Sequence, residues 1–83
     1  MTLIYSKKSQ SQLFKLNSRI QQKIVLELDK FIKGFKVDIK KIKNSKDEFR
    51  IRIGNFRVQL KKDEKDIFVT KIGKRENFYL VFL

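Results

Sequence analysis

The sequence has no cysteine and no histidine. Without cysteine there is no disulfide framework, thiolate metal site or thiol nucleophile, and without histidine the commonest metal ligand and general base are both missing. Zinc chemistry and triad hydrolysis are therefore set aside, and no metal or cofactor is expected. Proline is absent and glycine occurs only at 34, 54 and 73. With no repeat or low-complexity stretch there is no visible linker, so residues 1–83 are expected to form one domain. Long apolar runs are also missing. The longest, Phe78 to Leu83, has six residues, against the roughly 20 needed to cross a bilayer. Met1 to Gln10 holds no apolar stretch of signal-peptide length. The expectation is a soluble cytoplasmic protein with no membrane partner.

Acidic residues are scarce too: nine Asp and Glu stand against 21 Lys and Arg, leaving a formal charge of +12. The charge is spread over the chain, +7 in residues 1–41 and +5 in 42–83, so this is not a neutral core with a basic tail. Hydrophobic residues make up 41% of the 83, with eight Phe and two Tyr, enough for a small core and too many for a disordered basic segment. A compact body with this charge repels itself unless a polyanion or an acidic partner neutralises it. Nucleic acid is the first candidate.

Thr2 to Tyr5 has β-branched and aromatic members and predicts a short strand. Ser6 or Ser9 then caps a helix. Leu13, Leu16, Ile20, Ile24, Leu28, Phe31 or Ile32, and Phe35 recur at spacings of three and four, which puts them on one helical face. Ser18 with Gln21 fits a capping box and divides this stretch into two helices, about 8–16 and 19–33. Gly34 is the expected stop of the second. From Val37 the period falls to two. Val37, Ile39 and Ile42 suggest a strand. Phe49, Ile51 and Ile53 alternate with Arg50 and Arg52; Gly54-Asn55 is a two-residue hairpin signal; Phe56, Val58 and Leu60 alternate with Arg57, Gln59 and Lys61. Lys61 to Asp66 reads as a charged turn. Ile67 to Ile72 is apolar in both phases, as in a strand covered on two faces or one carrying a bulge. The fold class is α+β: a short N-terminal strand, then a two-helix hairpin packed on an antiparallel sheet.

A two-residue turn at Gly54-Asn55 sets Ile53 opposite Phe56, and so Arg52 opposite Arg57 and Arg50 opposite Gln59. Like charges in opposed positions cost about 0.2–1 kcal/mol, and an anion bound between them would offset that. Sixteen lysines meet the general need for positive charge, yet four of the five arginines (50, 52, 57 and 75) fall in one C-terminal stretch. Guanidinium matches phosphate oxygens bidentately and stacks on bases, and ammonium does neither as well. The bland alternative is the solvated face of a half-buried sheet. Phe78 and Tyr79, just past Gly73-Lys74-Arg75, offer a stacking surface beside the cations, although aromatics are more often core. Asp47, Glu48 and Glu76 have no spacing that marks acid–base catalysis and are taken as solvated.

The segment from Phe49 through Arg50, Arg52, Gly54-Asn55 and Arg57 to Val58, followed by Ile72-Gly73-Lys74-Arg75 and Tyr79, resembles the signature of the RelE/ParE toxin superfamily, in its RelE-like branch. Val37-Asp38-Ile39-Lys40-Lys41-Ile42, leading into the hairpin, resembles the same family. The resemblance implies a RelE-like α+β fold and a toxin of a type II toxin–antitoxin pair. It further implies an endoribonuclease that cuts messenger RNA in the ribosomal A site and is silenced by an acidic, RelB-like antitoxin. Carried over by position, Arg57 holds the scissile phosphate, Arg75 neutralises the phosphorane, Tyr79 stacks on or orients the nucleotide, and Arg50 and Arg52 stand where RelE proper has catalytic lysines.

Attack of a 2′-hydroxyl on its neighbouring phosphate needs alignment, cations and proton transfer, without a cofactor. Arginine stays protonated and does not serve as a base. Proton transfer is thus left to Lys71, Lys74, Glu76, Tyr79 or the ribosome, with no choice among them. Gln59, where many relatives carry an aromatic residue, is a second departure. Two other functions use the same fold or face: ParE-like poisoning of DNA gyrase, and non-catalytic RNA binding.

Overall fold

A computed structural model describes residues 2–74. The chain runs β1 (Thr2–Tyr5), α1 (Lys7–Phe14), α2 (Ser18–Ile32), β2 (Ile39–Lys41), β3 (Glu48–Ile53), β4 (Phe56–Lys62) and β5 (Asp66–Lys74). The strands form one sheet in the order β1-β5-β4-β3-β2. The α+β class and the strand, helical hairpin and sheet order agree with the periodicity of the sequence. One pairing differs from an all-antiparallel sheet: β1 lies parallel to β5, with Leu3 beside Ile67 and Tyr5 beside Val69.

Each helix starts on a side-chain oxygen that takes an otherwise orphaned backbone N–H. Ser6 Oγ accepts from Ser9 N–H at 3.0 Å. The second cap is Asn17, whose Oδ1 accepts from Ile20 N–H at 2.9 Å, and not Ser18. Gln21, expected to complete a capping box with Ser18, instead reaches out of the helix and donates to the Leu16 carbonyl at 2.7 Å. Asn17 holds the extended backbone a cap requires, leaving Ser18 as the first helical residue.

α2 ends at Gly34, where φ is +86°. Phe35 N–H bonds Lys30 O and Gly34 N–H bonds Phe31 O, the paired bonds of a Schellman ending, which needs the left-handed conformation glycine adopts without a Cβ clash. The chain turns out of the helix there, and Phe35, expected on the apolar face, is 64% exposed.

The helices cover one face of the sheet. Leu13, Ile24 and Leu28 are buried against Ile51, Ile53, Val58, Leu60, Val69 and Ile72. Leu16, Ile20, Phe31 and Ile32 pack partly buried around them. Val37 and Ile42, expected in the strand with Ile39, fall outside the three-residue β2. Among the described residues no helix is long and apolar enough to cross a membrane.

Because Asn17 and not Ser18 satisfies an orphan N–H, Asn17→Ala is expected to lower stability by about 1 kcal/mol. Ser18→Ala should stay within about 0.5 kcal/mol of the parent, as surface substitutions do. Urea midpoints of the two variants test the difference.

Candidate nucleic-acid interface

The β3–β4 hairpin has the register its turn dictates: Ile53 faces Phe56, Arg52 faces Arg57 and Arg50 faces Gln59. Gly54 has φ +59°, and among the described residues Asn44 is the only non-glycine at positive φ. A positive φ at the first central position alone is the type II′ pattern, whose twist suits a hairpin. Alternation then sorts the side chains. Ile51, Ile53, Phe56, Val58 and Leu60 go under the helices. Glu48, Arg50, Arg52, Arg57, Gln59 and Lys61 go to the outer face, joined from β2 by Lys40, opposite Arg50.

β5 joins this face through an irregularity. Gln59 pairs with Lys71 but Leu60 pairs with Val69, so Thr70 is the extra residue of a bulge. Thr70 Oγ1 donates to Gln59 O at 3.2 Å. Ile67 and Val69 lie under the helices before the bulge, and Ile72 does so after it. The phase change is why this segment reads as apolar in both registers. It also moves Lys71 to the outer face, beside Gln59 and one diagonal step from Arg57. Lys74, paired with Phe56, belongs to the helix side.

The arginines differ in their surroundings. Arg52 is exposed and its Nε donates to Asp38 Oδ2 at 2.9 Å. Asp38 therefore offsets part of the repulsion between Arg52 and Arg57. An exposed pair of this kind contributes about 0–1 kcal/mol and exchanges readily for another anion. Arg50 is half-buried. Arg57 is 5% exposed, which a merely solvated polar face does not explain. Its Nη1 donates to Gly54 O at 3.0 Å and Phe56 O at 2.9 Å. These bonds to its own turn fix the guanidinium. Among the described residues no further acceptor engages it, so its Nε–H and Nη2–H edge is left for the bidentate grip that suits phosphate. Gly73, opposite Arg57, puts no side chain beside it.

Lys71 is 7% exposed. Burial holds its amine below the ordinary lysine value, and the positive charge of Lys8 on α1 adds to the lowering. α1 borders this part of β5 because β1 stops pairing at Val69, and Gln12 Oε1 takes the Ile72 N–H at 2.7 Å. Glu48 is not simply solvated: Gln59 Nε2 donates to its Oε2 at 2.9 Å, placing a carboxylate on the outer face. Beyond Lys61 the face opens into a depression of about 520 Å³ lined partly by Phe68, Thr70, Asp47 and Asp63. Arg75, Glu76, Phe78 and Tyr79 lie outside the described residues. Sequence reasoning brought Arg50, Arg52 and Arg57 together correctly. It left Lys71 and Lys74 equivalent, and the signal that separates them is the doubled apolar phase of residues 67–72.

Residues 3–79 match the sequence profile of the ParE toxins of type II toxin–antitoxin systems (parDE). A 46-residue stretch is 46% identical to a protein of Methanocaldococcus jannaschii named as a RelE1 toxin, covering 53% of this chain and 51% of the relative. The match thus spans about half the length of that curated relative. Among solved structures, the RelB–RelE antitoxin–toxin complex of Methanococcus jannaschii contains a chain that superposes with a TM-score of 0.84 at 25% identity, covering 96% of this chain and 99% of that one. The isolated RelE toxin of E. coli superposes with a TM-score of 0.77 at 16% identity, covering 98% and 95%, a likeness of fold.

Two measurements test the electrostatics described here. A double-mutant cycle on Asp38→Ala and Arg52→Ala should give a coupling below about 1 kcal/mol that shrinks with added salt. The folded-state value of Lys71 lies below its unfolded value, so between the two the unfolded chain binds more protons and stability rises with pH. Lys71→Met should therefore be more stable than the parent at neutral pH, with an advantage that narrows as pH climbs toward the ordinary lysine value, as read from denaturation midpoints.

Proposed function

The chain belongs to the ParE toxin family of type II toxin–antitoxin systems and has the fold of the RelE toxins, and from this premise we propose that it is an endoribonuclease acting on messenger RNA in the ribosomal A site. A 2′-hydroxyl attacks the adjacent phosphate. The observation that carries this proposal is Arg57, an almost buried guanidinium fixed by two carbonyls of its own turn, with its side-on edge unengaged among the described residues.

In this mechanism Arg57 grips the scissile phosphate and is preorganised for it, so little reorganisation accompanies the gain of charge on the phosphorane. Arg52 exchanges Asp38 for a backbone phosphate, and Arg50 extends the cationic track along β3. Arg75 neutralises the phosphorane and Tyr79 orients the nucleotide, roles carried from the family signature. No metal or cofactor is required, since alignment and cations supply the main stabilisation. Between syntheses, a cognate acidic antitoxin neutralises the protein, and the +12 charge supplies the complementary field. The site of action is the cytoplasm, on translating ribosomes.

A second function has one observation in its favour: the matching profile is that of ParE toxins, and ParE-like toxins poison DNA gyrase. The two outcomes separate in one experiment. Induced expression should arrest growth, and primer extension should reveal messenger RNA breaks within codons on translating ribosomes. Intact messages with stabilised gyrase–DNA breaks would favour the gyrase poison, and intact messages with bound RNA alone would favour a non-catalytic module. Arg57→Ala and Arg75→Ala are each expected to lower cleavage by about a hundredfold, the scale of losing one preorganised charge contact. Both should keep cooperative thermal unfolding, and undiminished killing by either would remove that residue from the site.

A further inference from the structure

Transfer of a proton to the departing 5′ oxygen is the step that the arginines do not supply. Of the candidates named from the sequence, Lys71 and Lys74 lie among the described residues, and the sheet separates them. Lys74 pairs with Phe56 on the helix side, whereas the bulge at Thr70 turns Lys71 to the outer face, opposite Gln59 and diagonal to Arg57. Diagonal neighbours in a sheet stand about 7–8 Å apart, within reach of long side chains. Both are nearly withdrawn from water.

We propose that the Lys71 ammonium is the general acid of the cleavage reaction, protonating the 5′ oxygen of the phosphate held by Arg57. This rests on the nuclease function proposed above. The 2′ oxygen bonds to phosphorus while its proton passes to solvent water. The bond between phosphorus and the 5′ oxygen breaks, its electron pair going to that oxygen, and the Lys71 ammonium transfers a proton there. The products are a 2′,3′-cyclic phosphate and a 5′-hydroxyl, and the neutral amine regains a proton from water.

The groups around Lys71 keep this amine a better acid than an ordinary lysine. Lys8 faces it from α1; Arg57 and Lys61 flank it from β4; Arg50 and Glu48 lie across Gln59 on β3, with Glu48 held by Gln59. Burial and the neighbouring cations favour release of the proton. Arginine at this place would keep the charge and lose the acidity.

The test uses purified protein, ribosomes programmed with a defined message, and a second message whose scissile 5′ oxygen is replaced by sulfur, a leaving group that departs without protonation. Lys71→Met and Lys71→Arg should each slow single-turnover cleavage of the oxygen message by about a hundredfold, with half-saturation unchanged. Both should lose the parent's decline in rate toward alkaline pH and should cut the sulfur message at the parental rate. Full activity of Lys71→Arg on the oxygen message would make Lys71 only a charge and overturn the assignment, as would a defect that persists on the sulfur message. Failure of the parent itself to cut either message would overturn the nuclease function and this inference with it.

Discussion

The outer face depends on register. A two-residue turn at Gly54-Asn55 fixes β3 against β4, and one extra residue at Thr70 fixes β4 against β5. A slip of one residue in either pairing would turn every side chain of a strand to the opposite face. The apolar set Ile51, Ile53, Val58 and Leu60 would then leave the helices, so the core enforces the same register that gathers Arg50, Arg52 and Arg57. Folding energy and site geometry are set together. The bulge differs: it lets Val69 and Ile72 both face the core while releasing Lys71 to the other side, and no regular strand does both.

Charge on this face is tolerated unevenly. Arg52 reaches solvent and finds Asp38, a partner it exchanges at little cost. Arg57 and Lys71 are nearly withdrawn from water, where holding a charge is costly. Backbone carbonyls meet part of the demand of Arg57, while burial and the charge of Lys8 lower the pKa of the Lys71 amine. The net charge of +12 gives the chain a field that attracts anions.

Much of this was legible in the sequence because hydrophobic period and turn chemistry are local signals. The hairpin register, a serine cap at Ser6 or Ser9, of which the structure uses Ser6, and Gly34 as a stop follow from residues a few positions apart. The errors are local as well. Asn17 and Ser18 are both good caps, and only the backbone decides between them; Phe35 continues the helical spacing but lies past the glycine that ends the helix. What the sequence could not resolve is non-local. The parallel placement of β1 on β5, the Asp38–Arg52 pair, the Gln59 hold on Glu48 and the arrival of Lys8 near Lys71 all join residues far apart in the chain. Residues 67–72 signalled a bulge or a doubly covered strand, and the bulge decided which lysine shares a face with Arg57.

The most direct test of the central claim is a structure of the protein on a ribosome carrying a message with a 2′-methoxy group at the cleavage position, which blocks attack. The account predicts the message lying across the outer face of β3, β4 and β5, with one phosphate bridged by Nε and Nη2 of Arg57. A message held by the helical side, or an outer face turned away from the RNA, would contradict it.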